Sequence, residues 1–302
     1  MFNGLLQEIQ LGNIKSLARC ISLVENEVAG YEAFLQQLQP SGIPVIGITG
    51  PPGAGKSTLV DALIGLLVNS GKKVGVLCVD PSSPFNLGAL LGDRIRMSQW
   101  YSHPSVFIRS LATRGSLGGL HPKILEITDV VKAAHFDYII VETVGVGQSE
   151  IEIAGLADTT VVVVVPEAGD EVQTMKAGLM EIADVFVVNK ADRPGADKFV
   201  HNLRQMLAPA FMRQQTTINI VKTVALKQEG IQLLWEAILL HLQAGTTSDK
   251  KYWLLAEKAY HLLQQQRMKN ISKTELRATI EKMAAAHDFN LYGFVLAYNN
   301  EK

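Results

Sequence analysis

Gly47-Ile48-Thr49-Gly50-Pro51-Pro52-Gly53-Ala54-Gly55-Lys56-Ser57-Thr58 is the stretch that decides how the rest of the chain is read. Within it, Gly50-x-x-x-x-Gly55-Lys56-Ser57 follows the phosphate-loop pattern. In such a loop glycines let successive backbone N–H groups converge on anionic oxygens, and the helix that follows adds the positive end of its dipole. Gly50, Pro51, Pro52, Gly53, Ala54, Gly55, Lys56, Ser57 and Thr58 are then the expected phosphate cradle. Lys56 would neutralise the β- and γ-phosphates, and the Ser57 hydroxyl would ligate Mg²⁺.

The flanks agree with that reading. An apolar run of strand length, 43–48, precedes the loop, and 58–68 carries apolar residues at helical spacing, so the loop joins a strand to a helix. From 43 onward strand-like runs alternate with helical stretches, which predicts an α/β domain with a mainly parallel sheet covered on both faces. The expected strands are 43–49, 73–79, 105–109, 137–142, 159–165, 184–189 and 218–224. Residues 161–165 are five consecutive valines, a composition that suits a central strand buried on both sides. Ligands of such sheets bind beyond the carboxyl ends of the strands, and each polar motif of this chain follows one of those ends.

After the second strand comes Val79-Asp80-Pro81-Ser82-Ser83-Pro84. Asp80 there could hold a water on Mg²⁺ or simply cap the turn that the prolines impose. Gly92-Asp93-Arg94-Ile95-Arg96 and Arg109-Ser110-Leu111-Ala112-Thr113-Arg114-Gly115 supply further groups able to meet phosphate. Asp93 is a second candidate for positioning metal or water, whereas the arginines could equally be surface charges. The fourth strand ends in Glu142-Thr143-Val144-Gly145-Val146-Gly147-Gln148. Glu142 stands where an aspartate is usual and would reach the metal through water, and the Gly145 N–H could sense a γ-phosphate. Val146 occupies the place of the glutamine that orients water in many GTPases, and Gln148 is offset from it, so slow intrinsic hydrolysis is expected. In the loop 166–178, Lys176 either reaches back to these acids or sits on a helix surface.

Asn189-Lys190-Ala191-Asp192 closes the sixth strand. A carboxylate such as Asp192 can accept from guanine N1–H and N2–H₂, donors that adenine lacks on that edge. Asn189 is expected on the base edge with Lys190 packed along it, and Val224 and Ala225 after the last strand would offer backbone contacts. The tetrapeptide therefore argues for GTP or GDP as the nucleotide.

At 302 residues with 47% hydrophobic side chains, the chain can form one large domain with helical additions, or two domains. A net charge of −1 and the absence of a Lys/Arg cluster disfavour nucleic acid as a partner. No signal peptide or membrane-spanning run is evident, so a cytoplasmic protein without membrane attachment is expected. Cys20 and Cys78 are too few for a disulfide framework or a metal cluster and are read as reduced and buried. We divide the chain into an N-terminal helical extension (1–40), a GTPase domain (41–245) and a C-terminal helical arm (246–302). Helical period places Ile14, Leu17, Ala18, Ile21 and Val24 on one face of the extension. Leu233, Leu234, Trp235, Ile238 and Leu239 are expected to close the sheet domain. In the arm, Ser272-Lys273-Thr274-Glu275 has the form of a capping box, and Trp253, Leu254, Tyr260, Leu262 and Leu263 suggest an intersubunit contact.

With these motifs in hand, the chain resembles the G-protein chaperones of cobalamin-dependent acyl-CoA mutases, the methylmalonyl-CoA mutase-associated GTPases once labelled arginine/ornithine transport ATPases. The resemblance rests on the phosphate loop, the 79–84, 92–97, 109–115 and 141–150 motifs and the Asn-Lys-Ala-Asp tetrapeptide, and it covers nearly the whole length. Glu142 is itself what this family shows. The resemblance implies a P-loop NTPase fold, GTP with Mg²⁺, a homodimer formed through the C-terminal arm, and a mutase partner whose adenosylcobalamin is loaded and protected. It also implies that Asp80, Asp93 and Glu142 are nucleotide-site acids and that Lys176 is the lysine of an additional switch loop. No Asp-x-His-x-x-Gly motif is present, so the cobalamin is assigned to the partner. Water activation is left among Gln148, Asp93 and a group from the partner. An ATP-dependent kinase would leave the Asn-Lys-Ala-Asp tetrapeptide unused, and a nickel-inserting GTPase calls for His/Cys clusters that seven scattered histidines and two cysteines do not make.

Overall fold

Why the valine run has no polar alternation is plain in the computed structural model, which describes residues 2–80, 97–113, 120–145, 149–166, 182–214, 219–245, 248–286 and 289–300. Seven strands, β1 (Val45–Thr49), β2 (Val74–Asp80), β3 (Val106–Ala112), β4 (Tyr138–Glu142), β5 (Thr159–Val164), β6 (Val185–Val188) and β7 (Asn219–Lys222), form one sheet in the order β3-β2-β4-β1-β5-β6-β7. Every pairing is parallel. In β5, Val161 and Val163 face one apolar cluster while Val162 and Val164 face the other, so both sides of the strand are dry.

The helices of this unit are α1 (Leu5–Gln10), α2 (Ile14–Glu25), α3 (Tyr31–Leu35), α4 (Lys56–Asn69), α5 (Ile124–Lys132), α6 (Ser149–Leu156), α7 (Ala196–Gln214) and α8 (Ile231–Ala244). α4 and α8 cover one face through Leu59, Leu63, Leu67, Leu234 and Ile238. α5, α6 and α7 cover the other, and α1 to α3 join the same cluster through Ile9, Leu17, Ile21, Val24 and Phe34. The N-terminal extension thus belongs to the sheet's core. Charge fastens it as well: Arg109 of β3 donates to Ser22 and Glu25 of α2, both at 3.0 Å, and Lys123 pairs with Glu27 (2.9 Å) and Glu126 (3.2 Å).

Two expectations about burial need correction. Ile14 is 41% exposed, because it opens α2 at the margin of the apolar face, and Leu233 is 61% exposed, on the solvent side of α8. Leu234, Trp235 and Ile238 are buried as expected, and Leu239 packs partly against the core.

The amino ends of the strands share a device. Asp137, Asp158 and Asp184, each one residue ahead of its strand, accept from the backbone N–H of Lys73 (2.8 Å), Val45 (2.9 Å) and Thr160 (2.8 Å). These bonds satisfy donors at the start of the neighbouring strands that the ladder leaves over. His241 of α8 adds to this end of the sheet, with Nε2 3.2 Å from Asp184 and Nδ1 2.9 Å from Thr159 Oγ1. The carboxyl ends are thereby left to carry the polar motifs. Cys20 and Cys78 are free and buried, and burial pushes the Cys20 thiol up to about 12, so it stays protonated and inert.

A second compact unit, Ser248–Lys302, holds α9 (Ser248–Met268), α10 (Lys273–Ala285) and α11 (Leu291–Asn300). The Ser272 hydroxyl accepts from Glu275 N–H at 3.3 Å, which is the expected N-cap of α10. Tyr252, Tyr260, Leu262, Leu263, Tyr292 and Leu296 are exposed. Among the described residues, no helix is long and apolar enough to cross a membrane.

Candidate functional site

The chain leaves β1 towards β2 on one side and, after β4, returns to β5 on the other, so the strand order reverses at the carboxyl end of β1. That reversal opens the crevice in which ligands of such sheets sit. The loop from Gly50 to Gly55 lies there. Gly50 has φ 139°, and a Cβ on it would stand 2.0 Å from the Val163 carbonyl oxygen of β5, so only glycine lets the chain turn so close to the neighbouring strand. α4 then starts at Lys56 with Gly55 as its N-cap and no side-chain cap, which leaves its first N–H groups aimed at the loop's interior, as an anion requires.

Lys56 is buried. Its ammonium donates to the carbonyls of Gly50 (2.9 Å), Pro51 (3.2 Å) and Val144 (3.3 Å), tying the phosphate loop to the segment after β4. Gly145 follows at φ 88°, where a Cβ would come 2.1 Å from the Gly50 carbonyl oxygen and 2.6 Å from Lys56 Nζ. The two loops therefore touch, and the expected γ-phosphate sensor lies against the phosphate cradle.

Ser57 Oγ donates to Glu142 Oε1 at 2.7 Å, and both residues are buried. Glu142 ends β4 and is paired in register with Ile48 of β1 and Cys78 of β2. Asp80, also buried, lies two residues further along β2 and accepts from Thr113 N–H through its backbone carbonyl at 3.0 Å. The Ser57 hydroxyl and the Glu142 carboxylate meet, and Asp80 ends the adjacent strand; oxygen donors of this kind suit a hard cation such as Mg²⁺. Asp93, Gln148 and Lys176, named from the sequence for water positioning and switching, lie outside the described residues.

At the other end of the crevice the Asn-Lys-Ala-Asp tetrapeptide is braced against the phosphate loop and the turn after β7. Asn189 is 2% exposed, and its amide serves the protein. Nδ2 donates to the Ala54 carbonyl (2.9 Å), while Oδ1 accepts from Thr223 Oγ1 (3.1 Å) and from Ala225 N–H (3.1 Å). Three of the four hydrogen-bonding positions of the side chain are thus filled by the phosphate loop and the turn after β7. Lys190 Nζ donates to the Gly53 carbonyl at 2.8 Å. Through these bonds the tetrapeptide that carries Asp192 is bolted to the phosphate loop that leads into Lys56. Asp192 is solvent-accessible and pairs with Lys227 at 3.1 Å. That hydrogen bond to Lys227 holds the Asp192 carboxyl below its ordinary range and raises Lys227 in turn.

Val224 and Ala225, expected beside the base, form the turn after β7, where Val224 bridges to Glu229 and Gln228 adopts φ 59°. Sequence reading missed Lys227 and the Thr143–Thr49 hydroxyl pair (2.9 Å) that ties the end of β4 to the end of β1. The position of Lys227, two residues past Ala225 in the loop that follows a strand end, was the one available signal.

Similarity to known proteins bears on the family and the fold. Residues 17–280 match the family described as Methylmalonyl Co-A mutase-associated GTPase MeaB. A chain of Pyrococcus abyssi, assigned as a GTPase by name only, is 48% identical over 260 residues, covering 83% of this chain and 80% of that one. A fused isobutyryl-CoA mutase of Geobacillus kaustophilus is 36% identical over 260 residues, covering 80% of this chain and 24% of that one. The crystal structure titled LAO/AO transport system kinase superposes with a TM-score of 0.67 at 25% identity, covering 98% of this chain and 95% of that one.

Proposed function

The chain belongs to the methylmalonyl-CoA mutase-associated GTPase family and is a GTPase, and from that premise we propose that it is a slow, Mg²⁺-dependent GTP switch. Its output is to assist cofactor loading, and protection of that cofactor, in an adenosylcobalamin-dependent acyl-CoA mutase, with methylmalonyl-CoA mutase as the first candidate. The observation that supports the reading is the pair of bonds from Asn189 to Ala54 and from Lys190 to Gly53, which brace the Asn-Lys-Ala-Asp segment against the phosphate loop.

In this reading Lys56 and the first N–H groups of α4 bind the phosphates. Ser57 with Asp80 and Glu142 holds Mg²⁺ directly or through water, and the ion would neutralise charge between the β- and γ-phosphates. Gly145 reports the γ-phosphate, because it already lies on the loop that grips it. Asp192 selects guanine. Val146 in place of a water-orienting glutamine supports slow hydrolysis, with Gln148, Asp93, Lys176 or a partner group completing the reaction.

Two observations support the partners. The Geobacillus relative is named as a fused mutase and is about four times as long as the matched segment, which favours a mutase as the neighbour of this chain. The exposed tyrosines and leucines of α9 and α11 favour a homodimer through the C-terminal arm.

The test is to mix the purified chain with purified methylmalonyl-CoA mutase or isobutyryl-CoA mutase, loaded in turn with GTP and GDP. Nucleotide-dependent co-elution and faster GTP hydrolysis in the complex are expected, with ATP a poor competitor. Association indifferent to nucleotide with both mutases, or equal affinity for ATP and GTP, would overturn the reading.

A further inference from the structure

We propose that Lys227 is a positioning residue for base selection, holding the Asp192 carboxylate in the orientation that receives a purine edge. The inference deepens the guanine-switch reading and rests on it. Two hydrogen bonds to N1–H and N2–H₂ need both carboxylate oxygens in the plane of the base, and an aspartate in solvent has free torsions that scatter them.

The structure restrains those torsions from outside. Lys227 Nζ lies 3.1 Å from Asp192 Oδ2, with the two side chains 55% and 41% exposed. Both ends of the pair stand on fixed backbone. Ala191 N–H donates to Thr223 O (3.0 Å) and Arg193 N–H to Lys190 O (3.1 Å), which sets the Asp192 turn. Lys227 N–H donates to Val224 O (2.9 Å), and Ala225 N–H to Asn189 (3.1 Å), which sets the Lys227 turn. The ammonium engages one oxygen and leaves the other, together with the remaining lone pair of the first, for the base. It also offsets a cost of binding: guanine is neutral, so a carboxylate covered by it keeps its charge, and an adjacent cation compensates for the lost water.

An ion pair this exposed adds little to fold stability, so its effect should appear in selectivity. The experiment measures equilibrium affinity of the full chain for GTP, GDP and ATP in wild type, Lys227→Met, Lys227→Arg, Asp192→Asn and the double variant Lys227→Met/Asp192→Asn. Lys227→Met is expected to weaken GTP and GDP by about two- to five-fold while ATP is unchanged. Lys227→Arg restores most of the loss, and Lys227→Met adds nothing in the Asp192→Asn background. Raising ionic strength narrows the gap between wild type and Lys227→Met. Unchanged GTP affinity in Lys227→Met, or an equal loss for ATP, overturns the proposal, the latter because it signals general attraction to phosphate. Unchanged GTP affinity in Asp192→Asn instead sinks the guanine assignment itself, so the two failures are distinguishable.

Discussion

Replacing Asn189 by alanine separates a scaffold from a base contact. The side chain is buried and makes three hydrogen bonds, to Ala54, Thr223 and Ala225. At about 1 kcal/mol net for each, with the partners left unsatisfied, the loss is about 3 kcal/mol of folding stability. For a unit of this size that lowers the thermal midpoint by roughly 6 to 12 °C. The measurement is urea and thermal unfolding of nucleotide-free protein followed by circular dichroism, with GTP affinity determined separately. Asn189→Asp sharpens the test. It keeps an acceptor towards Thr223 and Ala225 but sets an oxygen against the Ala54 carbonyl, so it should also destabilise the nucleotide-free protein. If Asn189→Ala unfolds within about 1 kcal/mol of wild type and loses only GTP affinity, the side chain serves the base and the scaffold argument is wrong.

Other perturbations follow from the same geometry. Glu142→Gln keeps an acceptor for Ser57 but removes the charge, so the Mg²⁺-supported gain in GTP affinity should fall by roughly 10- to 100-fold in a metal titration; an unchanged Mg²⁺ dependence would count against Glu142 as a metal-site acid. Gly145→Ala imposes a Cβ at φ 88° against Gly50 O, so urea unfolding should show a loss of about 1 to 2 kcal/mol from the backbone conformation alone, and the GTP-over-GDP preference should shrink. The Asp192 carboxyl is depressed by Lys227, so its charged form is fully present above the unperturbed 3.8 and is lost only as pH falls through the lower folded value. The GTP-to-ATP affinity ratio should therefore stay flat on acidification to about pH 5, and Lys227→Met should move its decline to higher pH.

Much of the fold was legible because both faces of the sheet are covered. Runs such as 161–165 then have one explanation, and the loops at strand ends must carry the chemistry. The seven expected strands match the observed ones to within a few terminal residues, with β3 continuing past 109 to Ala112. Helical period found the apolar faces but not their margins, which is why Ile14 and Leu233 stand in solvent. The candidate site was legible as a set of positions and less so as a set of bonds. A tetrapeptide says that an asparagine lies near a base, but only the turn after β7 and the carbonyl of Ala54 reveal what its amide engages. Lys227 was hidden for the same reason, since its partner is set by two turns 35 residues apart rather than by local spacing.

The Asn189–Ala54 bond joins residues 135 positions apart, and that separation bears on biosynthesis. A ribosome delivers the glycine-rich loop early, flanked by β1, yet the strand has neither β4 nor β5 beside it until residues 138–164 have emerged. Even then the loop lacks its far brace until Asn189 clears the exit tunnel. On the proposed reading, nucleotide capture is therefore expected only late in the life of the nascent chain, once Asn189 can reach Ala54.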